Sequence, residues 1–129
     1  MIPRFRAWDK TDKKMYLVDG INFNRGEFES IGVGISFLRG ADKVELMQST
    51  GLFDKNSQEI FEGDILGIET DEGILNVNIF WDSKHALFMF ESKKYNEEEL
   101  LAELVEDNTY PFEIAGNIYE NPELLEVTE

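Results

Sequence analysis

The sequence predicts an α+β chain that is mostly β. A β-rich N-terminal lobe over residues 1–50 precedes a small curled sheet or barrel over residues 51–129, the two sharing one core. One helix, at about 97–106, is expected to cover the second part. Three observations carry this. Short runs of alternating or β-branched residues recur along the chain, separated by polar and glycine turns. A single stretch, after Tyr95, has both an apolar stripe at helical spacing and a start signal. The chain is 129 residues long, with 42% apolar and 12% aromatic side chains, enough for a packed core despite a net charge of -15.

In chain order, Phe5-Arg6-Ala7-Trp8 alternates and precedes the polar turn Asp9 to Lys14, after which Met15 to Val18 pairs back as a hairpin. Asp19-Gly20 and Arg25-Gly26 read as turns. Ile31 to Leu38 reads as a strand that Gly32 and Gly34 weaken or bulge. Val44 to Met47 is a further short strand. Ile65 to Glu69 is a strand, Thr70-Asp71-Glu72-Gly73 a turn, and Leu75, Val77, Ile79 and Trp81 mark one face of the next strand. Asp82 to His85 turns the chain, and Ala86 to Phe90 returns. Asn96 is placed to cap a helix, with Glu99 three residues on as in a capping box and Tyr95 and Leu100 placed for a hydrophobic staple. Leu100, Leu101, Leu104 and Val105 supply its apolar stripe. Phe112 to Ile118 is the last strand. Several short strands with tight connections are the pattern of a small curled sheet or barrel.

The composition excludes several chemistries. Without cysteine there is no disulfide scaffold, thiol nucleophile or cysteine-ligated metal, which suits a reducing compartment. No apolar run reaches the length of a membrane span, and no apolar stretch follows the N-terminal charges, so neither a span nor a secretory signal is expected. Charge is unevenly spread. Residues 1–14 hold five basic and two acidic side chains, whereas residues 96–129 hold eleven acidic and no basic ones. An acidic body repels nucleic-acid phosphates and attracts basic partners. Arg4, Arg6, Trp8 and Lys14 join cations to an aromatic, as a nucleic-acid surface needs; a tryptophan in a strand more often serves the core.

The polar run Asp54-Lys55-Asn56-Ser57-Gln58-Glu59, with Glu62 and Asp64, has oxygen ligands at alternate positions like a calcium loop. It places Glu59 where a sharp-turn glycine belongs and Ile65 where a bidentate carboxylate belongs, and it reads as a turn whose side chains bond the local backbone. Asp64 is placed to accept N–H groups of the turn before it. His85 stands alone, which disfavours zinc. Gly32-Val33-Gly34 lacks the third glycine of a dinucleotide loop. No cofactor, no metal and no catalytic residue is expected.

Three segments resemble the YopX family of phage and prophage proteins. They are Arg4 to Asp9 (RFRAWD) with Lys14-Met15, Met47 to Ile65 (MQSTGLFDKNSQEIFEGDI), and Gly116 to Leu125 (GNIYENPELL). Ser49 stands where the family usually has an aromatic, Phe53 where it has a polar residue and Ser57 where it has glycine. The resemblance implies a β-rich protein whose C-terminal part is an SH3-like barrel, from bacteriophages or prophages of Gram-positive bacteria, with no defined catalytic residues. It implies a cytoplasmic place in the bacterial host. In the closing signature, Gly116, Asn117 and Asn121-Pro122 suit the end of a strand; alternatively Thr50, Asp64 and Asn117, with Tyr119, form a small polar groove. The function expected is that of a non-enzymatic interaction protein whose acidic surface binds a host or phage protein, with nucleic-acid binding through Arg4, Arg6 and Trp8 as the alternative. No membrane partner is expected; an exposed strand edge would admit a homo-oligomer.

Overall fold

A computed structural model describes residues 4–33, 37–107 and 109–126. The chain divides into two compact units, Met1–Ser49 and Thr50–Glu129, and its described residues are mostly strand, with one α-helix.

The first unit begins with β1 (Phe5–Asp9) and β2 (Lys14–Leu17), the expected hairpin, in the register Ala7↔Tyr16 and Asp9↔Lys14. β3 (Gly20–Asn24), β4 (Glu27–Val33) and β5 (Phe37–Gly40) form a separate three-stranded antiparallel sheet. A 3-10 turn at Ala41–Lys43 leads into β6 (Val44–Phe53), whose first half pairs with the other side of β1. The core of this unit is Ala7, Ile31 and Val44, with Val18, Ile21, Phe28, Val33 and Leu46 packed around them.

Two expectations change here. The run from Ile31 to Leu38 is not one strand: β4 ends at Val33, β5 begins at Phe37 and the two pair antiparallel, and the reading at Gly34 falls outside the described residues. β3 was not expected from the sequence. Its Phe23 is largely exposed, and a register shift between Asn22 and Phe23 breaks the alternation that would have revealed it.

In the second unit the end of β6 lies beside β7 (Glu59–Phe61). β8 (Asp64–Thr70), β9 (Gly73–Asp82), β10 (Leu87–Ser92), β11 (Glu97–Leu100) and β12 (Phe112–Asn117) form one antiparallel sheet in the order β11-β10-β9-β8-β12. The helix α1 (Leu101–Asp107) follows β11 directly, and a 3-10 turn at Pro122–Leu125 follows β12. The registers Leu66↔Val77, Ile79↔Phe90 and Phe112↔Ile68 put these side chains on one face of the sheet. That face, with Ile60 and with Leu101 of α1, is the core of the unit.

The expected helix at 97–106 is corrected. Glu97 to Leu100 pair residue by residue with β10, and only Leu101 to Asp107 are helical. Asn96 takes a left-handed φ of 53° in the turn between β10 and β11 rather than capping a helix. The three glutamates that favour a helix start are overridden by ladder hydrogen bonding to β10. The apolar stripe survives in shortened form: Leu101 is fully buried, with Leu104 and Val105 packed on the same core.

Candidate functional site

The signature residues are the turn-makers of the second unit. Thr50 donates its hydroxyl to the carbonyl of Ile60 at 2.7 Å and accepts from the Leu52 amide. Asp54 is buried. Its Oδ1 accepts from the amides of Asn56 and Gln58 and its Oδ2 from the amide of Ile114 in β12, all at 2.9 Å. The oxygen-rich loop is therefore an Asp-nucleated turn tied to a strand 60 residues away. Ser57 holds it with a left-handed φ of 62°. Asp64, also buried, accepts from the Phe61 amide at 2.8 Å across the tight turn at Glu62-Gly63. The same turn donates from the Gly63 amide to Ile79 and accepts from the Ile118 amide at the Gly63 carbonyl.

Asn117 sits opposite Asp64 in the register. Its Oδ1 accepts from the amides of Tyr119 and Glu120, and its Nδ2 donates to Glu120. Asn121 Oδ1 accepts from the Asn117 amide, and the Asn121 side chain lies over Gly116, where a Cβ would fall 2.6 Å from Asn121 Cγ. Of the four residues, the structure brings Asp64 and Asn117 together as cross-strand partners. Thr50 reaches the neighbouring Ile60, and half-buried Tyr119 follows Asn117 in its turn.

In the first unit Arg6 and Trp8 share one face of β1, opposite to Ala7 and Asp9. Their cross-strand neighbours are Leu17 and Met47 for Arg6, and Met15 and Glu45 for Trp8. Arg4 lines a separate cavity of about 290 Å³ with Phe5, Leu17, Val18 and Asp19. The more organised polar cluster was not anticipated. Asp9 is 2% exposed, accepts from the amides of Thr11 and Asp12, and receives Arg39 Nε at 2.5 Å. The backbone N–H of Asp12, then the guanidinium, hold the Asp9 carboxyl below its ordinary range; hydrogen bonding to Asp9 raises Arg39. Arg39 also reaches Asp12 and lies 5.6 Å from the Tyr16 ring centre, a cation–π distance. Arg39 stands 30 residues from Asp9 with no local pattern to link them.

A larger concavity with a mostly apolar floor lies in the second unit, between the core face of the sheet and α1. It has a volume of about 440 Å³. Ile68, Leu75, Phe90, Leu100, Leu104 and Tyr110 form its apolar lining; Glu99, Glu103 and Asp107 supply carboxylates, and among the described residues no lysine or arginine lines it. Glu99 pairs with Phe90 across the ladder, so it stands at the edge of the core face. Glu103 and Asp107 lie one helical turn apart, about 6 Å along the axis. The stripe at Leu100 and Leu104 was legible in the sequence. Its role as a groove wall was not, because that depends on where Tyr110 and β10 lie.

Two further features belong on the map. His85 Nδ1 lies 2.8 Å from Asp82 Oδ2 at the surface, and this contact holds the Asp82 carboxyl below its ordinary range. Among the described residues, no group of three or more His, Asp or Glu side chains is placed to hold a metal ion, and no helix is long and apolar enough to cross a membrane.

Comparison with known proteins agrees with this architecture. The structure of protein EF1440 from Enterococcus faecalis is similar over 98% of this chain and 99% of that one, with 29% identity and a TM-score of 0.67. The structure of protein yopX from Bacillus subtilis matches over 95% and 98%, with 17% identity and a TM-score of 0.66, a likeness of fold. No curated protein matches the chain. The family model described as YopX protein matches residues 4–126, nearly the whole sequence, and the chain belongs to the YopX family.

Proposed function

We propose that this is a non-enzymatic interaction protein of phage or prophage origin, working in the cytoplasm of a bacterial host, that docks a basic segment of a host or phage protein. The observation that carries the reading is the groove beside α1: apolar side chains along its floor, three carboxylates on its walls, and no cation among its lining residues. An apolar anchor would supply affinity there, and cations beside it would supply orientation and a faster, salt-sensitive encounter. The stretch 96–129, with eleven acidic and no basic residues, adds to the attraction for a basic partner. In keeping with the family resemblance, we read the curled sheet of the second unit as an SH3-like barrel, a framework whose grooves and edges suit peptide capture.

The test is a chemical-shift titration with a synthetic peptide of alternating lysine and leucine. Shifts confined to the amides of Leu100, Leu104 and Tyr110, an affinity that falls with salt, and at least a tenfold loss in the E99K/E103K/D107K variant are the expected results. Scattered shifts, or binding indifferent to the triple charge reversal, would refute the reading.

The shared face of Arg6 and Trp8 favours a second reading, nucleic-acid binding through the first unit. Anisotropy with a single-stranded oligonucleotide at low salt tests it; R4A/R6A should weaken binding, and no binding by the parent protein would end it.

A further inference from the structure

The groove opens at the edge of a sheet. β11 is the terminal strand in the order β11-β10-β9-β8-β12, and Glu97, Glu98 and Glu99 are all exposed along it. A terminal strand has one row of backbone N–H and C=O groups that its own sheet does not use. The register Phe90↔Glu99 and Ser92↔Glu97 puts Glu97 and Glu99 on the face that carries Phe90, the groove side.

Charge decides what can pair there. Side chains directly opposite each other across an antiparallel pair have Cβ atoms about 4.5–5.5 Å apart, and like charges at that distance repel. A second copy of β11 would set glutamates against glutamates, so the edge discriminates against self-pairing. An incoming strand with cations at alternate positions meets Glu97 and Glu99 with opposite charge. Its side-chain repeat of about 6.6–6.8 Å equals theirs, since both chains are extended. On a strand antiparallel to β11, the same-face residue two positions before the first cation lies toward Leu100 and Leu104, where the apolar floor begins.

Resting on the docking reading above, we infer that the partner segment binds as an added antiparallel strand on β11, with the pattern apolar-x-basic-x-basic. Its two cations face Glu97 and Glu99, and its apolar side chain enters the groove beside Leu104 and Tyr110. The partner is thus an extended basic segment, and main-chain hydrogen bonds to β11 supply part of its affinity.

The experiment uses the full chain and three peptides with identical side chains, Leu-Thr-Lys-Thr-Lys flanked by glycines. One is unmodified. The other two carry backbone N-methyl groups on alternate residues, in the two opposite phases. Only one phase removes the N–H groups that face β11, so the other controls for the effect of N-methylation on the free peptide. The expected result is at least tenfold weaker binding for one phase, near-parent binding for the other, and added hydrogen-exchange protection of outward-facing β11 amides in the complex. Equal binding by all three, still weakened by E103K, would overturn strand addition and leave the docking reading standing. Tighter binding by an isomer with its lysines at helical spacing would also overturn strand addition. No binding by any peptide at low salt would remove the docking reading, and this inference with it. Protection of β11 that rises with protein concentration alone would overturn the inference in favour of a second copy of this chain.

Discussion

Replacing Asp54 tests whether one carboxylate organises the second unit. Its three acceptor bonds, each 2.9 Å long, hold the amides of Asn56, Gln58 and Ile114. In Asp54→Ala the exposed Asn56 and Gln58 amides regain water, which returns most of what their bonds contribute. Ile114 is half-buried, and its amide loses a charged acceptor worth roughly 1.5–3 kcal/mol. With some loss of loop order added, the total is about 2–4 kcal/mol. Asp54→Asn turns an amide donor toward the Ile114 N–H, or flips and gives up the loop bonds, and should cost about half as much. The chain has two tryptophans, Trp8 in the first unit and Trp81 in the second. Urea unfolding followed by Trp81 fluorescence in a Trp8→Phe background therefore reports the second unit. With a slope of about 1–3 kcal/mol per molar urea, the Ala variant should lower the midpoint by roughly 1–2 M. Hydrogen exchange at the Ile114 amide should quicken in both variants. An Ala midpoint within about 0.3 M of the parent, with Ile114 protection unchanged, would refute the argument.

Leu101→Ala empties a fully buried site under the sheet and should cost about 2–5 kcal/mol, read by the same urea assay. Gly116→Ala puts a Cβ 2.6 Å from Asn121 Cγ and should cost about 1–3 kcal/mol; because the closest clash is with the outer atoms of that side chain, adding Asn121→Ala should recover part of the loss, a non-additivity seen in a double-mutant cycle. Ser57→Gly removes a side chain from a left-handed φ and should be neutral or raise stability by up to about 1 kcal/mol, measured as a rise in Tm. Asp9 has its folded pKa below the ordinary 3.8, so the unfolded chain binds the proton first as pH falls. Its stabilising contribution is full above that value and disappears as pH drops through the lower folded value. Asp9→Asn should therefore flatten the acid limb of the first unit's stability curve, followed by Trp8 fluorescence in a Trp81→Phe background; an unchanged acid limb would refute the assignment.

What was legible in the sequence was local. The alternation of Leu75, Val77 and Ile79 marked β9, and all three line the core face or pack against it. Asp54 and Asp64 were read as backbone acceptors, because short acidic side chains before glycine or strand starts commonly close turns, and both do so. The glutamate run at 97–99 misled for a physical reason: intrinsic helix preference and a plausible cap concern the isolated segment, whereas pairing with β10 depends on a strand several residues away. The Asp9–Arg39 pair and the groove share that dependence. Each is assembled by register between distant strands, and neither its charges nor its apolar residues stand at a local spacing that would announce it.

The distribution of cations has a practical consequence for finding the partner. No lysine or arginine lies between Lys94 and Glu129, so trypsin leaves β11, α1 and β12 on a single long acidic peptide. Amine-reactive cross-linkers have no handle on that stretch, and a mass-spectrometric survey built on them would be blind to the proposed docking face. Carbodiimide coupling of carboxylates to a partner's lysines, followed by cleavage at acidic residues, would make the same surface the most visible part of the molecule.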